Sequence, residues 1–157
     1  MRRLALLLRD RRDELHGYWI TALKGTIGAE YLDVLASPLG VRLVRRIVED
    51  MVALSQAEAY EVPGIIRRIE SETAADAARR GALGFDMMDV VCGLQQVRAA
   101  IWKVLVDALV VGDLPAFGET MDEMAQVDAF MDLLVRVEVR GYLEGRSQAP
   151  TADDDDW

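Results

Sequence analysis

The stretch ALGFDMMDVVCGLQQVRAAIWKVL, Ala82 to Leu105, decides how the rest of the chain is read. It holds a Gly-Phe-Asp entry, a lone cysteine, two glutamines and an arginine inside a long apolar run. Asp86 has the position of an N-cap, its carboxylate free to accept the unbonded N–H groups of the first helical turn. Phe85 before it and Val90 after it have the spacing of a hydrophobic staple. From there apolar residues recur three and four apart as far as about Val111, the period of a helix and not the alternation of a strand. The segment therefore reads as a central helix of an all-α bundle.

The same period extends outward in both directions. A first helix is expected over about Arg3–Lys24, with Leu4, Leu8, Leu15, Trp19 and Leu23 on one stripe. After GTIG, the segment EYLDVLA has room for a short helical turn. Ser37-Pro38 is a start signal, a hydroxyl cap followed by proline at the first helical position. The helix it opens turns Val41, Val44, Ile47, Val48, Met51 and Leu54 inward. Val62-Pro63-Gly64 punctuates the chain before a more polar helix over Ile65–Arg80. After the central helix, VGDLP turns into a last helix over Ala116–Glu144. The expectation is one all-α domain of five to six helices over residues 1–145. An acidic, disordered tail over 146–157 would follow it.

Composition removes several classes of function. The formal net charge of −9 disfavours a nucleic-acid backbone or an anionic membrane surface as partner. The clusters at residues 2–12 and at Arg42, Arg45 and Arg46 are interleaved with acids and read as solvated helix faces. No apolar run reaches the roughly 18 residues that span a bilayer. One cysteine makes no internal disulfide, which fits a reducing cytoplasm. Over half the residues are apolar, which calls for a large core or an apolar interface between subunits.

Catalytic and cofactor chemistry finds little to work with. The single histidine, His16, can build neither a Ser-His-Asp nor a Cys-His arrangement, nor the paired Glu-x-x-His motifs of a di-iron bundle. No glycine-rich phosphate loop follows a strand. The expectation is a chain with no catalytic residue, no bound metal and no cofactor. Cys92, within MMDVVCGL, reads as a small core hydrophobe. The alternative is a thiol for a chromophore or redox signal, with an internal pocket near Cys92, Gln95 and Arg98.

Projected at 100° per residue, Asp89, Gly93, Gln96, Ala100, Lys103 and Asp107 fall on one stripe that reads as the wet face. Arg98 points away from it, among apolar residues, and a buried charge requires a partner. Asp128 interrupts the apolar face Phe117, Met121, Met124, Met131, Val135, Val139 and Tyr142 of the last helix. Arg98 lies fifteen residues before Asp113 and Asp128 fifteen after it, so an antiparallel hairpin sets them at equal height. An Arg98–Asp128 contact is expected. Arg98 with Gln95 is the candidate site for a small anion.

LLLRDRRDELHGYWITAL and ARRGALGFDMMDVVCGLQQVRAAIWKVL together resemble the N-terminal domain of the RsbR-type RsbT co-antagonists. The same domain type precedes some sensor histidine kinases. The shared features are a Leu- and Arg-rich first helix with Trp19, then Arg-x-x-x-Gly-Phe before a long helix ending in Ile101-Trp102. The resemblance implies a dimeric, non-haem, globin-like input domain in cytoplasmic signalling, such as a stress response, acting through a partner protein. No STAS or kinase output segment follows residue 145 here. Leu15, Trp19, Met131 and Val135 are the expected dimer interface.

Overall fold

The computed structural model of the chain describes residues 1–112 and 117–148, without the side chain of Phe117. Among the described residues there are seven helices and no strand: α1 (Arg2–Asp10), α2 (Arg12–Leu23), α3 (Ala29–Ala36), α4 (Pro38–Gln56), α5 (Val62–Ala82), α6 (Met87–Val110) and α7 (Phe117–Gln148). The all-α single domain is as expected, with more helices than expected because two features were merged or undersized. The expected first helix is divided at Arg11, where φ −107° and ψ 24° leave the helical region. Its apolar stripe lacks a member between Leu8 and Leu15, and at that gap the chain changes partner. α1 packs mainly on α4, α2 on α6. EYLDVLA is a full two-turn helix, α3.

The start signals act as written. The Ser37 hydroxyl accepts the Leu39 N–H at 3.2 Å. The Asp86 carboxylate accepts from Met88 and Asp89 at 2.8 and 3.2 Å. Gly84, just before, turns at φ +79°, a backbone conformation that a side chain disfavours. Val62-Pro63-Gly64, expected to precede its helix, is that helix's first turn, where proline's missing N–H costs nothing. α7 runs past the expected boundary, so residues 146–148 are helical. Residues 149–157 of the expected tail, and 113–116 of the expected turn, lie outside the described residues.

The core corrects the expected interface. Leu15, Trp19 and Met131 are each 0 % exposed within the single chain, and Val135 is half-buried against the same cluster. Leu15, Trp19 and Met131 hold the domain together and offer no surface to a second copy, while Val135 keeps part of its surface. The supposed wet stripe of α6 is corrected too. Gly93 and Ala100 are buried, and the Gly93 carbonyl accepts the Trp19 indole N–H at 2.6 Å. Around that contact Asp107 accepts the Tyr18 hydroxyl at 2.7 Å, and Asp89 accepts the Gly28 N–H at the start of α3 at 3.0 Å. The stripe is the seat of α2 and α3, where small residues admit the neighbouring helices and the flanking charges are paired.

α5 and α7 make the most extensive helix pair. Gly141 lies against Ala74 and Gly145 against Ala78, so the register advances together and the two helices run parallel. No helix among the described residues is long and apolar enough to cross a membrane.

Candidate functional site

The expected Arg98–Asp128 contact is present, with Arg98 Nε 3.4 Å from Asp128 Oδ1. Arg98 also reaches the Asp128 carbonyl at 3.4 Å and pairs with Asp132, one helical turn further along α7, which the sequence reading did not include. The premise of deep burial is corrected. The side chains of Arg98 and Asp128 are 34 % and 39 % exposed, at the edge of the α6–α7 contact. The guanidinium straddles the boundary: its Nε and the Asp128 Oδ1 are buried without a hydrogen-bond partner among the described residues, while the exposed Asp132 meets its outer nitrogen. Gln95 is exposed and Cys92 half-buried on the same helix. Arg98 is thus engaged by two aspartates of α7. Replacing Arg98 with methionine is expected to change stability by less than about 1 kcal/mol in denaturant titration, as for other partly exposed ion pairs. A loss well above that would restore the buried-charge view.

His16 is structural. Its Nε2 hydrogen-bonds the Leu35 carbonyl at 3.1 Å, and its ring meets Trp19 edge-on. No group of three or more His, Cys, Asp or Glu placed to hold a metal occurs among the described residues.

A concave site lies elsewhere, between α3, the first half of α4 and the C-terminal half of α5. It is a cleft of about 550 Å³. Its floor is apolar, built from Tyr31, Val34, Leu35, Leu43 and Phe85. Leu39 and Leu83, 55 % and 73 % exposed, extend that apolar surface to the rim. Around the mouth stand Arg42, Arg46, Arg79 and Arg80, with Asp76 as the acid among them.

Each element delivers its part for a local reason. Arg42 and Arg46 are four residues apart and stack on one side of α4. Arg79 and Arg80 sit in the last turn of α5, where the helix dipole favours cations. Phe85 enters through the Gly84 turn, its ring centroid 5.1 Å from that of Tyr31. Phe85 is fixed from behind by the Tyr142 hydroxyl, which donates to its carbonyl at 2.6 Å.

Electrostatically the cleft is positive in an acidic protein. Asp76 pairs with both Arg46 and Arg79. Behind the wall, Arg80 Nε donates to Glu138 Oε1 at 2.9 Å. Glu138 is 3 % exposed, and burial raises its pKa above the usual carboxylate range while Arg80 opposes the shift. Burial likewise pushes the Tyr31 hydroxyl up to about 12, so the floor stays neutral at any physiological pH. Arg42 is exposed and makes no hydrogen bond or ion pair among the described residues. Asp76 and Glu138 thus engage three of the four arginines, and Asp50 and Glu72 also act on Arg46, which leaves Arg42 as the arginine of the rim with no partner among the described residues.

The sequence reading placed Arg42 and Arg46 on a solvated face and passed over Asp76, Arg79, Arg80 and Glu138. One signal was available: Glu138 lies in VRVEVR, a carboxylate between apolar neighbours on the inner side of a helix. The fold and site define an all-α single domain with an arginine-rimmed apolar cleft. Compared with known proteins, the chain matches no family model, no curated protein and no solved structure.

Proposed function

We propose that this chain is a non-catalytic sensor or regulatory module whose input is a small amphipathic anion taken up in the α3–α4–α5 cleft. The observation that carries the reading is the pairing of chemistries there: an apolar floor beneath a rim in which Arg42 has no carboxylate partner among the described residues. An anionic head would meet the guanidinium fork of Arg42 and of Arg79, whose side chain is 72 % exposed. Its apolar body would cover Leu35, Leu43 and Phe85. The volume falls in the usual range of small-ligand sites, roughly 300–1,000 Å³. The titratable groups lining this cleft are an aspartate held by two arginines and a tyrosine kept neutral by burial, a set suited to binding. The resemblance to the RsbR-type input domain supports the regulatory half of the reading, including a globin-like, dimeric module that signals through a partner protein in the cytoplasm.

The test uses two probes that differ by one charge. 1-Anilinonaphthalene-8-sulfonate carries a sulfonate on an apolar aromatic body, and N-phenyl-1-naphthylamine is the same body without it. Fluorescence titration of the folded full chain is expected to show binding of the sulfonate. Arg42→Glu is expected to weaken that binding about tenfold, the worth of one charge-assisted contact. The neutral probe is expected to be indifferent to the substitution. Equal sensitivity of both probes, or no binding of the sulfonate, would sink the reading.

A further inference from the structure

We infer that the anionic head of the ligand is held between two helices: it supplies the acid missing from the last rung of an ion-pair ladder joining α4 to α5, bridging Arg42 to Arg79. The inference rests on the proposed ligand site and deepens it, because it sets the class of head group and names the junction that binding tightens.

The ladder follows from register. Arg46 of α4 pairs with Asp76 of α5 across 30 residues of chain, and Asp50 of α4 pairs with Arg68 of α5 across 18. The separation shrinks toward the connection, so the two helices run antiparallel, and equal rise per residue fixes what comes next. One turn back along α4 from Arg46 stands Arg42. The same step forward along α5 from Asp76 reaches Arg79 and Arg80. The first two rungs each set an acid against a cation. The third sets cation against cation.

The nearby acids are already engaged. Glu138, behind the wall, accepts from Arg80. Asp76 meets Arg46 and Arg79, and Asp50 accepts from Arg68 at 2.9 Å. Arg42 is exposed and has no hydrogen bond or ion pair among the described residues. Arg79 is 72 % exposed and meets Asp76 through one terminal nitrogen, so the rest of its five-donor fork remains to be used. Both side chains line the cleft.

That geometry selects the head group. An oxyanion with two or more acceptor oxygens on one centre, a carboxylate, sulfonate or phosphate, can accept from a guanidinium on each side. A halide is a point charge and has no second oxygen to offer. The apolar body then extends from the rung onto the floor at Leu35, Leu43 and Phe85. The junction is also the one most open to such a contact, since α5 packs far more extensively on α7 than on α4. Binding adds a rung at the open end of the ladder and draws the first half of α4 toward the last turn of α5.

Two measurements on the full chain test the bridge. Without ligand, Arg42→Glu supplies the missing acid from the protein itself. Its urea midpoint is expected to lie roughly 0.3 M above that of Arg42→Gln, the size of one partly exposed ion pair. The gain is expected to vanish when Arg79→Gln is added to both. That control separates a rung across the helices from the favourable setting of a glutamate near the start of α4. With ligand, Arg42→Gln and Arg79→Gln are each expected to weaken binding of the anilinonaphthalene sulfonate about tenfold, with the neutral naphthylamine unaffected. Equal midpoints for Arg42→Glu and Arg42→Gln, or a gain that persists without Arg79, overturn the bridge. Sulfonate affinity that falls in Arg42→Gln but stays at the parent value in Arg79→Gln also overturns it, and leaves the ligand site standing. No sulfonate binding by the parent overturns the ligand reading itself, and the bridge with it.

Discussion

Gly145→Ala is expected to destabilise the protein by roughly 2–4 kcal/mol, among the largest effects of any one-carbon change in this chain. A Cβ at that position would lie 2.0 Å from the Ala78 carbonyl oxygen and 2.5 Å from its Cα. Gly141 is in the same situation one turn earlier, 2.5 Å from the Ala74 oxygen and 2.8 Å from its Cα. The opposing atoms are backbone, so no rotamer change relieves the clash and α5 and α7 must move apart. In its favour alanine gains about 1 kcal/mol of helix propensity over glycine. That gain is smaller than the loss of contact along the most extensive helix pair of the fold. Gly64→Ala, in the first turn of α5 with nothing within 4 Å of the added carbon, isolates the propensity term. It is expected to be neutral or stabilising by up to about 1 kcal/mol. Urea titration of the two variants separates the effects. If Gly145→Ala matches Gly64→Ala, the close approach of the two helices is not what joins them.

The same separation would reach the cleft. Gly145 and Gly141 set the height of Glu138 against Arg80, and of Tyr142 against the Phe85 carbonyl. Gly145→Ala is therefore expected to weaken probe binding as well, although it lies outside the cleft itself.

What the sequence made legible is what local chemistry dictates. Ser37-Pro38 and Asp86 cap helices because an oxygen and free N–H groups meet within three residues, whatever the rest of the chain does. Leu4, Leu8, Leu15, Trp19 and Leu23 form one stripe because 3.6 residues make a turn. Arg98 and Asp128 meet because two residues equidistant from a hairpin turn share a height. Asp132 was missed because a long guanidinium reaches one turn beyond its level partner. The errors share a cause. Gly93 and Ala100 looked wet because small residues and flanking charges mark either a solvated face or a close helix contact. Only the position of α2 decides between them. Trp19 and Met131 looked available for a second copy because the extent of the core depends on how seven helices share their stripes. The cleft draws on α3, α4, α5 and the Gly84 turn, and it joins Arg46 to Asp76 across 30 residues of chain, a juxtaposition that no local period encodes.

The pair formed by Arg80 and Glu138 links stability to the site. Glu138→Leu is expected to cost about 2–4 kcal/mol, because it strands the Arg80 guanidinium, whose side chain is 17 % exposed, against an apolar wall. Arg80→Met/Glu138→Leu is expected to recover most of that loss, since removing both charges removes both desolvation costs. The pH dependence has a definite sign. Burial holds the Glu138 pKa above its value in the unfolded chain, with Arg80 and Arg46 offsetting only part of the cost. Between the unfolded value, about 4.3, and the raised folded value, the native state binds the proton and the unfolded state has lost it. Stability contributed by this group is therefore fully present below about pH 4.3 and declines as pH rises through the folded pKa. Asp50, beside Arg68, is shifted the same way by burial and acts in the same direction. Glu138→Gln carries no titrating proton, so the advantage of the parent over this variant is expected to shrink as pH increases across that window. Thermal unfolding of both proteins from pH 4 to 8 measures the difference. An advantage that grows with pH would mean that Arg80 overcompensates the burial of Glu138. The ion pair behind the cleft would then be a net source of stability, and the rim would owe its positive character to Arg42 and Arg79 alone.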